Sequence, residues 1–299
     1  MNDNIHVTPF FIPLMVNVST HTLTHRARDG SEHHSVEIPR LGLGVWQIPD
    51  GGECRDVVLQ AFDVGYRHID TAQIYGNESD VGEAIAQSGL GRSDIFITTK
   101  LWRTEGLDAE ISRKMCEQSI TRLGLDHVDL FLVHAPTKPI EKRDEVWKIM
   151  EGLLHDGLTR SIGVSNFARK HLVSLAEKAD LLPCTNQIEL HPFASQPAVV
   201  AASLEHGALP TAYSPLQRAL SLDNEILHTQ STRLGCTPAQ LLIAWGLHHG
   251  WVSIPKTTNP RRLIENLAAH DIQLDEVAIT SLSTLEEGGF TGTDPETRE

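Results

Sequence analysis

Eight short apolar runs, separated by stretches of helical periodicity, set the strongest limit on what this chain can fold into. The runs are Leu41–Trp46, Tyr66–Asp70, Ile95–Leu101, Val128–His134, Arg160–Ser165, Thr185–Glu189, Leu209–Ser214 and Val252–Pro255. Between them, Leu107, Ile111 and Met115 recur every fourth residue. Val146, Trp147, Met150, Leu153 and Leu154 form a stripe with the period of a helix face. Another helix opens at Thr237-Pro238, a capping residue with Pro at the first helical position, and stops at Gly250. Strand and helix repeated in this way over about 250 residues predict an α/β chain, a (β/α)8 TIM barrel. The rival is a doubly wound sheet, which usually carries G-x-G-x-x-G after its first strand. Here Gln47 stands where the third Gly should follow Gly42 and Gly44. The barrel is therefore preferred.

Two shorter runs precede the barrel. His21–Arg26 and Val36–Ile38 flank Arg28-Asp29-Gly30, and Asp-Gly between short runs predicts a β-hairpin. We expect it to cap one end of the barrel. Residues 1–20 read as an irregular tail, because Pro9 and Pro13 interrupt their apolar stretch and no basic region or small-residue cleavage site accompanies it. Residues 21–299 then make one barrel domain, long enough to bury a large core. The formal charge of −14 argues against nucleic acid, whose phosphates need a surplus of Lys and Arg. No apolar run reaches the roughly 18 residues of a membrane helix. The four Cys form no C-x-x-C pair, which fits a reducing, cytoplasmic compartment. A monomer is expected.

In a barrel of this kind, chemistry sits at the C-terminal ends of the strands. The second run ends in Asp70, with Tyr75 five residues on; the third ends in Lys100-Leu101-Trp102 and the fourth in His134. Each residue alone could be structural: Asp70 and Lys100 an ion pair, His134 a core histidine. Charges at successive strand ends must be paired or used, and four such residues together point to proton donation to an oxyanion. A phenol has a pKa near 10 and becomes a useful acid beside a cation. Lys100, held by Asp70, is expected to lower Tyr75 in this way. A neutral His134 would hydrogen-bond the substrate oxygen. Ser165, Asn166 and Gln187 offer groups suited to a carboxamide, and Tyr213 offers a ring face. Lys256, Thr257, Arg262, Glu265 and Asn266 cluster after the last run, where barrels often bind phosphate. The plain alternative for Arg261 and Arg262 is a solvated helix face.

These residues carry a resemblance. Gly65-Tyr66-Arg67-His68-Ile69-Asp70-Thr71-Ala72-Gln73-Ile74-Tyr75-Gly76-Asn77-Glu78 resembles the aldo-keto reductase signature. So do Ser161–Phe167, Asn186-Gln187-Ile188-Glu189 and Ile254-Pro255-Lys256-Thr257. The likeness runs from Ile38 to about Leu285 and favours the bacterial diketogluconate and methylglyoxal reductase branch. It implies a barrel that binds NADPH and passes hydride to a small carbonyl substrate. Tyr75 then matches the proton donor, Lys100 and Asp70 its tuning pair, and His134 the residue that orients the carbonyl. Ser165, Asn166 and Gln187 match carboxamide binders, Tyr213 a stacking ring, and Ser214 and Leu216 neighbours of the pyrophosphate. Lys256, Thr257 and Arg262 match the grip on the 2′-phosphate, and Glu265 and Asn266 the adenine contacts. Trp46 and Trp102 match pocket-lining aromatics.

Three departures from the family pattern carry expectations. Ala135 follows His134 where the family usually has Trp, which should widen the substrate pocket. Gln217 replaces a usual Gly, so the loop over the pyrophosphate is expected to fold differently. The end after Leu285 is short, which fits small or varied substrates, such as aldehydes, 2-oxoaldehydes or keto sugar acids. Two other functions fit the sequence less well. A metal-dependent hydrolase would want H-x-H or H-E-x-x-H, and the sixteen His residues give neither, so no metal is expected. A non-catalytic NADPH-binding regulator would have no need of the Asp, Tyr, Lys and His set.

Overall fold

The structure, a computed structural model, describes residues 19–102, 109–137 and 140–297. Nearly all of the expected tail, and Leu107, lie outside the described residues. The chain opens with an antiparallel hairpin, β1 (Thr20–Arg26) and β2 (Glu32–Pro39). It begins one residue earlier than predicted, with Thr20 paired to Pro39.

Eight parallel strands follow: β3 (Leu43–Gly44), β4 (His68–Asp70), β5 (Phe96–Leu101), β6 (Leu130–Val133), β7 (Ile162–Ser165), β8 (Thr185–Glu189), β9 (Leu209–Tyr213) and β10 (Val252–Ile254). Each pairs with the next in sequence. The ring closes where Ser253 donates its N–H to Arg40 O (2.8 Å) and accepts from Gly42 N (2.9 Å). This is the predicted (β/α)8 barrel with its hairpin. The helices are α1 (Glu53–Val64), α2 (Glu78–Gln87), α3 (Ala109–Arg122), α4 (Ile140–His155), α5 (Arg169–Ala176), α6 (Pro197–Glu205), α7 (Glu225–Leu234), α8 (Pro238–His248), α9 (Pro260–Leu267) and α10 (Glu276–Ser283). The predicted Thr237 cap is formed: its hydroxyl accepts from Gln240 N (3.2 Å), while Gln240 Oε1 accepts from Thr237 N (3.0 Å).

Strand alternation sorts the side chains. Ile69, Ile97, Phe131, Val133 and Val164 join the core cluster shared with helix residues such as Val58, Trp147 and Leu172. The alternate positions in the strands meet each other, as His68 with Thr98 (3.0 Å) and Thr185 with Thr211 (2.9 Å). That space is tight: a Cβ on Gly163 would lie 2.6 Å from Thr185 Cγ2. Among the described residues no helix is long and apolar enough to cross a membrane.

The hairpin packs Leu23, Val36 and Ile38 against Phe96, Leu130 and Val252, each at the start of its strand or next to it. It therefore plugs the end away from the strand C-termini. Buried His25 fixes it there, with Nε2 accepting from Ile162 N (3.1 Å) and Nδ1 3.3 Å from Leu182 O. Burial pushes its imidazole from the ordinary 6.5 down to about 4. The folded chain thus binds this proton later than the unfolded chain does. Stability from His25 is complete above pH 6.5 and is lost as the pH falls towards 4. The loss should reach about 3 kcal/mol. Denaturant unfolding at pH 7 and pH 4.5 should show a smaller acid loss in His25→Gln than in the unaltered chain. Equal losses would remove His25 as the cause.

Candidate active site

The register of β4 and β5 builds the centre of the site. Asp70 lies opposite Thr98, so Lys100, two residues on, faces the same side one step higher. A single 3-10 turn, Gln73–Tyr75, then brings Tyr75 back over the strand end. The Lys100 ammonium, fully buried, donates to Asp70 Oδ1 (2.5 Å), Thr71 O (2.8 Å) and Tyr75 Oη (3.3 Å). Those three acceptors use its three hydrogens. Gln187 Nε2 donates to the second Asp70 oxygen at 2.6 Å.

The electrostatics differ from the expectation on one point. Burial and the neighbouring Asp70 carboxylate push the Tyr75 phenol well above its ordinary value. The Lys100 ammonium does not bring it below that value. Burial is the larger cause, and the Asp70 charge adds to it. Burial likewise pushes the Asp70 carboxyl up and the Lys100 ammonium down, each opposed by the other's charge. Tyr75 thus keeps its proton at neutral pH.

His134 follows β6 and stands edge-on to both Tyr75 (ring centroids 5.8 Å) and Trp102 (5.0 Å). Its backbone carbonyl accepts from Asn166 Nδ2 at 3.0 Å. Asn166 sits in the left-handed region at φ 61, which Asn tolerates better than most residues. Its side chain also reaches Ser165 Oγ (3.0 Å) and accepts from Tyr213 Oη (2.8 Å). Ser165 Oγ in turn donates to Gln187 O (2.8 Å).

All this opens into a cavity of ≈ 750 Å³. Its wall includes every residue given a catalytic, cofactor or substrate role from the sequence except Lys100 and Ala135. Lys100 lies beneath it. Ala135, in the bend just after β6, is not among the residues that line it. Trp102 flanks His134 on the cavity side, with ring centroids 5.0 Å apart. On the wall formed after β10, Thr257 Oγ1 accepts from Asn259 N (3.1 Å), and Glu265 accepts from the Thr237 hydroxyl (2.6 Å).

The structure adds residues that strand-end reasoning did not reach, notably Ile74, Arg218, Gly292 and Thr293. The Arg218 guanidinium lies 4.6 Å from the ring centroid of Trp46. Gln217, Arg218 and Ala219 are all left-handed, at φ 48, 52 and 65. This costs roughly 1–2 kcal/mol per residue outside glycine. The Trp46 contact and a hydrogen bond from Gln217 Nε2 to Gly289 O (3.2 Å) hold the strained turn. Gln217 thus takes a backbone conformation that glycine adopts more easily.

Comparison with known proteins bears on the same residues. The model of the Aldo/keto reductase family matches residues 40–287. The chain belongs to this family. The reductase is 40% identical over 268 residues to a 9,11-endoperoxide prostaglandin H2 reductase of Trypanosoma cruzi, covering 88% of this chain and 93% of that one. It is 38% identical over 261 residues to methylglyoxal reductase DkgA of Salmonella typhimurium, covering 87% and 94%. That relative falls in the bacterial branch that the motifs resemble. An aldo-keto reductase of Bombyx mori, crystallised in complex with NADP, superposes with a TM-score of 0.79 at 30% identity, over 89% of this chain and 93% of that one. The barrel and the oxidoreductase class read from the sequence both hold.

Proposed function

We propose that this reductase converts small or varied aldehydes and ketones to alcohols with NADPH, with Tyr75 giving the proton. Short aldehydes, 2-oxoaldehydes and keto sugar acids are the substrates in view. The observation that carries the reading is the contact from Lys100 Nζ to Tyr75 Oη in a site open to the cavity. Because the phenol oxygen accepts from Lys100, its own proton remains for a substrate oxygen. Charge that develops on Tyr75 as the proton leaves meets an ammonium 3.3 Å away. That attraction grows towards the transition state, which is where it accelerates the reaction. His134 and Tyr75 line one cavity, so a carbonyl oxygen can be held between them.

The donor set fits NADPH. Ser165, Asn166 and Gln187 suit a carboxamide, with Tyr213 as a ring face beside them. Lys256, Thr257 and Arg262 suit a phosphate near the N-terminus of α9, which Asn259 caps. When bound, NADPH supplies the hydride that the carbonyl carbon receives. The free cysteines Cys54, Cys116 and Cys184 are buried, in keeping with a cytoplasmic setting. The test is consumption of NADPH on addition of a panel of aldehydes, keto acids and keto sugars. A chain that bound NADPH but turned over none of them would be a binding protein instead.

Cofactor choice follows from the same cluster. A charge-assisted contact is worth roughly 1.5–3 kcal/mol. Arg262→Ala should weaken NADPH about tenfold to a hundredfold in fluorescence titration and leave NADH nearly unchanged. Equal losses for both would mean that Arg262 does not read the 2′-phosphate.

A further inference from the structure

We propose that Glu189 is a positioning residue, which clamps residues 291–293 onto the end of β8 and so sets the backbone of Gly292 against Tyr213. The carboxylate is completely buried, yet it does not line the cavity. Its Oε1 accepts from Thr291 N (2.8 Å), Thr291 Oγ1 (2.5 Å) and His191 Nε2 (3.1 Å). Its Oε2 accepts from Gly292 N (2.7 Å). Four donors on one buried carboxylate, three of them from a segment a hundred residues away in sequence, are more than a local turn requires. Burial pushes the carboxyl up, but the bonds from His191 and Thr291 outweigh it, so Glu189 is charged at neutral pH.

The clamped segment belongs to the site. Gly292 and Thr293 line the cavity. A Cβ on Gly292 would lie 3.0 Å from Glu189 Oε2 and 3.4 Å from Tyr213 Oη. The backbone of Gly292 is therefore wedged between the clamp and the Tyr213 ring. Tyr213 in turn holds the Asn166 amide, which holds the His134 carbonyl. The segment is also tied to the strained turn, because Gly289 N donates to Phe193 O (2.8 Å) and Gly289 O accepts from Gln217. Glu189 thus acts through Gly292 on Tyr213 and Asn166, the residues assigned above to the carboxamide end of the cofactor. For the ligand, the inference rests on that assignment; the clamp itself does not.

The test uses the full chain carrying Glu189→Gln, with Thr291→Val as a milder variant that removes one hydroxyl donor and buries no new polar group. Hydrogen exchange at the Thr291 and Gly292 amides should quicken about tenfold or more in Glu189→Gln, since a charged acceptor is lost. The Kd for NADPH should rise about tenfold, while kcat at saturating NADPH stays within about threefold. Thr291→Val should move both readouts the same way by about threefold. Faster exchange with an unchanged Kd in both variants would make the clamp structural only and overturn the proposal. Unchanged exchange in both would overturn the clamp. Failure of the unaltered chain to bind NADPH would instead overturn the functional reading beneath it.

Discussion

Tyr75→Phe is expected to lower kcat by about 10²–10⁴ while NADPH still binds. The substitution removes one oxygen and keeps the ring that packs beside His134. Lys100 keeps its bonds to Asp70 and to Thr71 O. The fold should therefore survive, and circular dichroism and NADPH titration should match those of the unaltered chain. The high pKa of Tyr75 adds a condition. In the direction of carbonyl reduction, the unaltered enzyme should show no loss of activity between pH 6 and 8 from ionisation of this phenol, since it holds its proton throughout. Near-normal turnover by the folded Phe variant would remove Tyr75 from the role.

Asp70→Asn is expected to cost about 3–5 kcal/mol of stability, because it leaves the buried Lys100 ammonium without a countercharge. The damage should go beyond one ion pair. Asp70 Oδ2 also accepts from Gln187 Nε2, and an Asn amide nitrogen placed there would face another donor. Denaturant unfolding should show the double variant Asp70→Asn/Lys100→Met losing less than the sum of the two single variants, since each single change strands the other partner. Activity should fall with stability in Asp70→Asn, because the ammonium that supports Tyr75 would lose its proton more easily. A loss below about 1 kcal/mol would mean that solvent or another acceptor compensates Lys100.

The sequence carried most of the barrel, because strand and helix periods differ and the parallel order repeats. Its resolution ended where pairing is tertiary. Leu41–Trp46 reads as one strand, yet only Leu43–Gly44 are strand, because Leu41 makes an isolated bridge across the closure to Ser253. Helices α7 and α10 escaped notice, since neither carries a strong stripe between clear strand signals; their caps, Asn224 and Asp275, were the local cues. The site was legible wherever a side chain stands at or next to a strand end, as Asp70, Lys100 and His134 do. Distances were not. The sequence brings Lys100 to Tyr75 but does not show how deeply the phenol is buried beside Asp70, and that burial and charge reversed its expected direction. Gly292 and Thr293 had no local signal at all. Their place on the cavity depends on Glu189, about a hundred residues earlier.

The central claim is that the residues around Tyr75 carry out carbonyl reduction rather than only forming a binding site. Its most direct measurement follows NADPH loss and alcohol formation together, with the unaltered chain and a short 2-oxoaldehyde. The account predicts many turnovers, with one alcohol formed for each NADPH consumed. NADPH bound tightly but not consumed, across the whole carbonyl panel, would contradict it.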